Sequence, residues 1–588
     1  MLVGHRDFKE IVVADSEFRQ PDGENPLPKV VVARKLGSGY TYRMCGEALI
    51  SRRHCPYPIG PDCLYVAFHA PAEISVHHAL GWQDPVNVLD LHVEFRNFTN
   101  GRYLPCGHGL IGALVYCGLE AMNPAEKAQK QEDRELAMSD RTHTAAEWQH
   151  LVEYCESDVN RTCRLFLHLL PHIDVDRALL RGRYMVTAAH IEGAGIPTDT
   201  EKLAQLRKHW DGVRLNLIQQ VNVDYGGIFD GLTLKGDRWE KWLTEHHIPW
   251  PRLPPIGNLT HNRLAMDDDT FRERARIYPA VAPIYELRKM LGKMRVNSLT
   301  VGADGRNRTG LWPFTARTGR NQPRSSEHIM GPSVWLRGLI RAQPGNAVVY
   351  IDYCQQEFGI AAALSGDSAM IQAYKTDDPY LTFAKQAGAA PPNATKASHG
   401  IIRDQFKTCA LGTLYSMGPG TLAERTGLYI PYAADLLRLH RKTYSQFWRW
   451  SDRVVDYALL HSHLFTTFGW NLFLEGEPNP NSLRNFPMQA NGAEMLRLAC
   501  CLAVERGVKV IAPVHDALLI EARGGDMVGA VVTTRRAMEE ASAIVLDGMA
   551  LRTDFNVYRF PLRYMDEKRG RKMWNMVWRI IRELEAGK

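Results

Sequence analysis

Basic and aromatic side chains recur at a fixed spacing in one segment that is predicted to be a helix. The series is spaced four residues apart and consists of Arg403, Lys407, Leu411 and Tyr415. On an α-helix such residues lie close to one face. A guanidinium and an ammonium on that face can bind a triphosphate, and the apolar side chain and phenol ring can contact a sugar and base beyond it. The spacing therefore predicts a nucleotide-binding helix.

Two aspartates flank this helix in sequence, and each follows a run that is typical of a buried strand. Asp352 ends Ala347-Val-Val-Tyr-Ile, and Asp516 ends Val510-Ile-Ala-Pro-Val-His. A single aspartate after a strand is more often a turn or cap residue. Two carboxylates from separate strands also suit a pair of Mg²⁺ ions, which lower the pKa of an attacking hydroxyl and steady a leaving pyrophosphate. Combined with the basic helix, they indicate nucleotidyl transfer.

The order of these motifs resembles that of family A DNA polymerases, the DNA polymerase I type. The matching motifs are Asp352-Tyr-x-Gln-x-Glu357, Arg403-x3-Lys407-x3-Leu411-Gly-x2-Tyr415 and His515-Asp516, with Thr318-Gly-Arg320 upstream and Asn485-Phe-Pro-Met-Gln489 between the last two. The closing run from Tyr564 to Trp574 is similar to the phage-encoded branch. The resemblance covers nearly the whole chain. It implies a right-hand polymerase, with the two aspartates in the palm, the basic helix in the fingers and a thumb before them.

The resemblance also implies roles for individual residues at the polymerase site. Asp352 and Asp516 would be the catalytic metal ligands, and Lys407 would both bind phosphate and protonate pyrophosphate. Glu357 would reject ribonucleotides by filling the space of a 2′-hydroxyl. The implied nucleotide-binding residues are Arg403, Lys407, Leu411, Tyr415, Glu357 and Tyr353. The implied DNA-binding residues are Arg320, Gln489 and His515, together with Arg288, Lys289, Lys293 and Arg295 on a helix predicted over 280–300.

Two positions depart from the family pattern. Leu411 stands where the family usually has Phe or Tyr, and a Tyr hydroxyl there helps to admit dideoxynucleotides, so we expect this chain to discriminate against them. Ala517 follows Asp516 where the family usually has glutamate. This second departure predicts that a third carboxylate is not indispensable at the site.

The N-terminal part carries a second set of acidic residues. Ile11–Phe18 is predicted to be a strand and holds Asp15 and Glu17, while 64–68 and 88–90 are further strand candidates. Tyr154 and Asp158 are spaced to share a helix face. The set resembles a Tyr-type DEDD 3′→5′ proofreading exonuclease, with Asp15, Glu17 and Asp158 as metal ligands and Tyr154 orienting the attacking water. Glu73 stands where that family usually has Asp, and Asp90 is the alternative for this role.

Length and composition indicate a folded protein with several domains. The 588 residues are 45% hydrophobic, carry a net charge of +6 and include 11 cysteines. The cysteines have no zinc-type spacing, and no signal or membrane segment is evident, so we expect a soluble, cytoplasmic protein, in a host cell if it is phage-encoded. The predicted fold is α/β and multidomain: an RNase H-like exonuclease domain over 1–172, thumb and connecting helices over 173–310, and palm and fingers over 311–588, with the fingers at about 365–465.

Three functions remain open from the sequence. The first is a monomeric DNA polymerase that acts on primer–template DNA and deoxynucleotides in DNA replication, that of a phage if the chain is phage-encoded. It would bind two Mg²⁺ at each site, with Mn²⁺ as a substitute, and its exonuclease would be active or inactive. The second is a single-subunit RNA polymerase, against which Glu357 and the exonuclease-like part argue. The third is a DNA-binding replication factor with decayed sites, suggested by Ala517 and Glu73.

Overall fold

The computed structural model describes residues 2–3, 6–120, 124–254, 263–292, 296–331 and 333–587. The chain folds into two compact units, each made of separate segments. Unit 1 comprises Met1–Gly195, Gly310–Pro323 and Gly345–Val557, and unit 2 comprises Ile196–Thr309, Arg324–Pro344 and Tyr558–Lys588. Helices and sheets are mixed throughout, which confirms the predicted α/β class.

The first segment of unit 1 contains a separate two-stranded pair, formed by its first two strands, and a five-stranded mixed sheet flanked by helices. Its strands are β1 (Leu2–Val3), β2 (Arg6–Asp7), β3 (Glu10–Arg19), β4 (Leu27–Lys35), β5 (Thr41–Cys45), β6 (Cys63–Ala67) and β7 (Asn87–Asp90). Its helices are α1 (Gly46–Ile50), α2 (Pro71–Leu80), α3 (Leu91–Thr99), α4 (Leu110–Tyr116), α5 (Pro124–Met138), α6 (Ala145–Leu169) and α7 (Val175–Ala194), with a short 3₁₀ turn at Leu170–His172.

The five-stranded sheet has the order β5-β4-β3-β6-β7. Strands β5, β4 and β3 are antiparallel to one another, whereas β3, β6 and β7 run parallel. The three strands predicted from the sequence coincide with β3, β6 and β7. Because β6 is covered on both faces, all five of its residues are buried, as expected for a parallel strand.

Unit 2 begins with elements that are mostly helical. They are β8 (Ile196–Pro197), α8 (Thr200–Asn222), β9 (Phe229–Asp230), β10 (Thr233–Leu234), α9 (Gly236–Glu245), β11 (Arg252–Leu253), β12 (Arg263–Leu264), α10 (Asp268–Ile277), α11 (Ala282–Gly292) and β13 (Arg306–Asn307), with 3₁₀ turns at Pro279–Val281 and Val334–Leu339. The prediction of one helix over 280–300 is wrong, because α11 ends at Gly292 and residues 296–300 are not helical.

Asp199 joins the three segments of unit 2. Its carboxylate caps α8 by accepting from the Lys202 N–H at 3.1 Å. It also pairs with Arg341, at 3.1 Å, and with Arg563, at 2.5 Å. One buried carboxylate thus binds cations from two later parts of the chain, which explains why distant segments fold together here.

The rest of unit 1 contains a four-stranded sheet and a group of helices, and the chain then returns to unit 2. The elements are β14 (Asn346–Tyr353), α12 (Gln356–Ser365), α13 (Ser368–Lys375), α14 (Pro379–Gln386), α15 (Gly400–Leu414), α16 (Pro419–Thr426), α17 (Ile430–Thr443), α18 (Ser445–His461), β15 (His463–Phe465), β16 (Asn471–Phe473), α19 (Pro480–Glu505), β17 (Lys509–Val514), β18 (Ala517–Arg523), α20 (Met527–Val545), β19 (Thr553–Arg559) and α21 (Arg571–Glu585).

Two long helices pack through the core of unit 1. Helix α19 contains Pro487 in its interior, where proline removes a main-chain donor and leaves carbonyl groups without their usual partner. The Asn491 side chain donates to the Pro487 carbonyl at 2.9 Å and so adds a hydrogen bond within the helix next to this interruption. Helix α7 packs on α2 and β7 and also on α19 and β17. None of the helices in the described ranges is long and apolar enough to span a bilayer.

Candidate active sites

The two predicted catalytic aspartates lie at one end of the four-stranded sheet, whose order is β17-β18-β14-β19. Asp352 is the penultimate residue of strand β14, and its cross-strand partner on antiparallel β18 is Ala517. Strands β17 and β18 pair from Val514 and Ala517 onward, so only His515 and Asp516 form their turn. His515 has a left-handed φ of +58°, which closes a tight turn. The hairpin therefore delivers Asp516 beside Asp352.

The two carboxyl groups are electrostatically coupled. Burial, followed by the charge of Asp516 and a hydrogen bond to it, raises the pKa of Asp352 to about 8. Burial also raises the pKa of Asp516. One carboxyl oxygen of Asp352, Oδ1, is buried without a hydrogen-bond partner. Neighbouring, partly buried carboxylates of this kind are short of positive charge, so the residues present fit a divalent cation.

A tyrosine–glutamate pair joins the basic helix to the neighbourhood of the aspartates. The Tyr415 hydroxyl donates to Glu357 Oε1. Burial and this contact with Glu357 raise the pKa of Tyr415 to about 12, against the opposing effects of Arg320 and of a hydrogen bond with Gln489. The charge of Arg320 also partly opposes the rise in the pKa of Asp516 that burial causes. The structure therefore brings Tyr415, Glu357, Arg320 and Gln489 together around the aspartates.

The predicted basic helix is α15, and Tyr415 is the residue at its C-terminal cap. Arg403 is occupied by acidic partners, because its Nε lies 2.5 Å from Asp378 Oδ2 and its Nη1 lies 2.8 Å from Asp404. Arg403 and Lys407 also lie 5.7 and 5.9 Å from the centre of the Tyr380 ring. A phosphate that binds Arg403 must therefore replace Asp378.

The remaining predicted contacts lie elsewhere or are used internally. Leu411 is half-buried against the core of unit 1. The side chain of Tyr353 is directed away from the site, because its ring is buried and its hydroxyl donates to the Met538 carbonyl at 2.6 Å, whereas its main-chain N–H donates to the Asp516 carbonyl at 3.4 Å. In unit 2, Arg288 donates to the Met266 carbonyl at 2.7 Å, and Lys289 lies 3.7 Å from Glu286. Lys293 and Arg295 lie outside the described residues.

The second acidic group gathers around β3. Asp15 and Glu17 are on β3, Glu73 is on α2, and Tyr154 and Asp158 are on α6. Burial, and next the charge of Asp15, raise the pKa of Glu73 well above its usual range. Burial and then the charges of Asp158, Glu17 and Asp15 raise the pKa of Tyr154. All five predicted residues are thus electrostatic neighbours.

Two details distinguish the members of this acidic group. Asp90 accepts main-chain N–H groups of Ala70, at 2.7 Å, and Val93, at 3.1 Å, so it serves as a cap for α3. By contrast, Glu73 Oε2 is buried and has no hydrogen-bond partner. Asp158 lies 3.2 Å from Arg161. Glu73 is therefore better placed than Asp90 to face a cation with Asp15.

Comparison with known proteins accounts for the polymerase-like part of this arrangement. Residues 325–558 match the family model of DNA polymerase family A. These residues belong to DNA polymerase family A. The polymerase domain contains Asp352, Asp516 and the whole of α15, and polymerases of this family depend on divalent metal ions.

The relatives of the polymerase domain come from bacteria and phages. A DNA polymerase I of Chloroflexus aurantiacus is 24% identical over 402 residues, which cover 63% of this chain and 42% of that protein. A DNA polymerase of Mycobacterium phage D29 is 26% identical over 389 residues, which cover 62% and 61%. The chain thus spans about half the length of these curated relatives. A solved structure, the POL domain of Pol1 from M. smegmatis in complex with DNA primer-template and dNTP, shares the fold, with a TM-score of 0.70, 16% identity and coverage of 93% and 94%.

Three residues near the polymerase domain's aspartates and basic helix escaped the sequence analysis. Asp378 pairs with Arg403 from 25 residues away, and only its position before Pro379 carries a signal, that of a helix cap. Tyr380 places its ring beside both cations. Asp554, on the edge strand β19, adds to the rise in the pKa of Asp352. No local pattern in the sequence identifies the last two.

Proposed function

We propose that this chain is a template-directed DNA polymerase that adds deoxynucleotides to a primer 3′ end and carries a 3′→5′ proofreading exonuclease. The convergence of Asp352 and Asp516 beside Tyr415, Glu357 and Arg320 supports the polymerase assignment. The relatives are DNA polymerases of bacteria and phages, which supports a role in DNA replication. The monomeric state and the cytoplasmic location stay predictions.

The predicted nucleotide-binding and DNA-binding residues of the polymerase site have separate roles in this proposal. Arg403 and Lys407 bind the β- and γ-phosphates, and Lys407 protonates the departing pyrophosphate. Glu357 fills the space of a 2′-hydroxyl, and its hydrogen bond with Tyr415 holds it there. Arg320, Gln489 and His515 contact the primer and template in this proposal. Where these contacts reach base edges, they do so through the minor groove, whose acceptors test pair geometry without reading sequence.

The metal ions of this proposal are Mg²⁺, two at each site. Asp352 and Asp516 would hold them in the polymerase domain, and Asp15, Glu17 and Asp158 would hold them in the exonuclease. When bound there, the ions would supply positive charge next to the reacting phosphate and the attacking oxygen. The coupled pKa values of the polymerase aspartates support this assignment, because a cation relieves their repulsion.

The proposal is tested by extension of a labelled primer–template with Mg²⁺ and four deoxynucleotides, beside a reaction without nucleotides. We expect extension in the first reaction and shortening of the primer in the second. Asp352→Ala should abolish extension and spare shortening, and Asp15→Ala should do the reverse. Absence of both extension and shortening in the wild-type chain would leave a DNA-binding protein without catalysis as the better description.

A polymerase with an inactive exonuclease is the second candidate function. It is favoured by Glu73 in place of the family's Asp and by the ion pair between Asp158 and Arg161. Extension without shortening would select it. A ribonucleotide-only reaction separates both candidates from an RNA polymerase, which would extend the primer there.

A further inference from the structure

A compact group of metal-ligand side chains lies in unit 1 away from both acidic groups. His78 is on α2, Asp84 follows α2 in the loop before β7, and His190 is on α7. Nε2 of His78 lies 2.8 Å from Asp84 Oδ1, and Nε2 of His190 lies 2.6 Å from Asp84 Oδ2. Among the described residues, this is the set of three whose ligand atoms all lie within 4.8 Å of one another. We call it the His-Asp-His cluster.

We propose that the His-Asp-His cluster is a binding site for a zinc-type divalent cation. Two imidazole nitrogens and one carboxylate oxygen are ligands that suit Zn²⁺ and its neighbours Co²⁺ and Ni²⁺. Mg²⁺ prefers oxygen ligands alone and keeps its waters. The cluster therefore selects a different metal from the carboxylate sites of the proposed polymerase and exonuclease.

The observed spacing requires only a small adjustment to admit the ion. Zinc bonds of about 2.0–2.2 Å imply tetrahedral ligand–ligand edges of roughly 3.3–3.6 Å, which is about 0.5–1 Å longer than the two contacts measured in the cluster. The side chains of His78 and His190 are 27% and 41% exposed, and their ring centroids lie 4.2 Å apart, so both ligand groups are reached from solvent. The ion would replace the protons that each imidazole shares with Asp84.

The adjacent histidine shows what a purely structural imidazole looks like in this segment. His77 is buried, its Nε2 lies 2.8 Å from the Tyr57 hydroxyl, and its Nδ1 lies 3.0 Å from the Gln83 carbonyl. Both of its nitrogens are therefore committed to protein partners. His78 and His190 instead direct one nitrogen each toward the same carboxylate, which is the arrangement that a shared cation needs.

A cavity of about 720 Å³ opens beside the cluster and is lined by all three of its residues. Water from this cavity can fill the fourth coordination position, as in zinc sites with three protein ligands. Because α7 packs on α2 and β7 and also on α19 and β17, an ion that ties His190 to α2 would restrain α7 within unit 1. The bound ion would thus stabilise the position of α7.

The test uses the full-length chain, stripped of metal and then titrated with Co²⁺ or Zn²⁺ in excess Mg²⁺, which saturates the carboxylate sites. We expect one equivalent to bind, the visible spectrum of a Co²⁺ ion with nitrogen ligands, and a rise in Tm on adding Zn²⁺. Asp84→Asn, which keeps the size of the side chain, and His190→Ala should both abolish these signals. His54→Ala, at an exposed histidine outside the cluster, should leave them unchanged.

Two outcomes would overturn the proposal. One is the absence of a stoichiometric Co²⁺ or Zn²⁺ signal in the wild-type chain. The other is a signal that survives Asp84→Asn and disappears in Asp352→Ala, since the ion would then belong to the polymerase aspartates. Because no primer is needed, the result does not depend on whether the chain extends DNA.

Discussion

Ala517 lies directly across the antiparallel β14–β18 pair from Asp352. A glutamate at position 517 would therefore add a third carboxylate to a pair whose pKa values are already raised. We expect Ala517→Glu to lower Tm in EDTA through repulsion, and Mg²⁺ to raise Tm more in this variant than in wild type. Ala517→Gln, matched in size to glutamate, controls for overpacking at this buried position. An equal Mg²⁺ response in all three proteins would contradict the expectation.

The hydrogen bond from Tyr415 to Glu357 predicts that the two residues share control of sugar selection. Glu357→Ala should raise ribonucleotide incorporation by roughly ten- to a hundredfold, the effect of about 1–3 kcal/mol. Tyr415→Phe, which removes only the hydroxyl, should give a smaller rise because Glu357 loses its anchor. Single-nucleotide incorporation of paired ribo- and deoxynucleotides measures both. If Tyr415→Phe left the ratio at the wild-type value, the hydrogen bond would have no part in selection.

Leu411 lies on α15 without a hydroxyl group, so we expect the chain to prefer deoxynucleotides over dideoxynucleotides. Leu411→Tyr should raise relative dideoxynucleotide use by about five- to tenfold, the effect of one hydrogen bond of roughly 1–1.4 kcal/mol. Leu411→Phe supplies the ring without the hydroxyl and serves as the control. A wild-type dideoxy-to-deoxy incorporation ratio near one would refute the prediction.

Glu192 predicts a pH-dependent stability. Burial raises the pKa of this carboxyl to about 7, and a hydrogen bond from the Leu311 N–H, at 2.6 Å, only partly opposes the rise. The protonated form is favoured in the folded state, so its contribution is complete below the unfolded pKa near 4.5 and is lost as the pH rises through 7. Glu192→Gln should therefore raise Tm at pH 8 but not at pH 4.5. Melting curves of wild type and Glu192→Gln, recorded in parallel from pH 4.5 to 8, check this. A difference in Tm that does not change with pH would contradict the prediction.

Arg181 and Glu94 form a buried, two-pronged ion pair between α7 and α3, with contacts of 2.6 and 2.7 Å. Arg181→Met should cost about 3–5 kcal/mol of unfolding free energy, because Glu94 stays buried without its partner. The double variant Arg181→Met, Glu94→Leu should recover most of the loss, since neither charge remains. Denaturant unfolding monitors both proteins. A double variant as unstable as the single one would mean that packing, rather than charge, sets the cost.

The sequence predicted those parts of the fold and site that depend on local periodicity. The four-residue spacing from Arg403 predicted α15, and the apolar runs before Asp352 and Asp516 predicted β14 and β17. Local periodicity also misled, since the pattern over 280–300 suggested one long helix, whereas α11 ends at Gly292 and residues 296–300 are not helical. The domain boundaries at 172 and 310 remain predictions, and the two compact units are divided differently.

Contacts between distant segments could not be predicted in this way. Asp378 and Arg403 meet because α14 packs against α15. The sequence of neither helix indicates that the other is its packing partner. The same holds for His190, which lies 106 residues after Asp84. Metal-ligand spacing can be recognised in a sequence only when the ligands are close together along the chain. Here His78 and His190 come together because α2 packs against α7.

The position of α7 sets where this chain can be cut to make fragments for expression. Arg181, Tyr184 and Ala188 are buried on this helix, which contacts both sheets of unit 1. A fragment that starts at residue 196 would leave the apolar faces of α19 and β17 uncovered, and such patches promote aggregation. A polymerase fragment should therefore start before Val175 and keep α7, even though this helix precedes the polymerase motifs by more than a hundred residues.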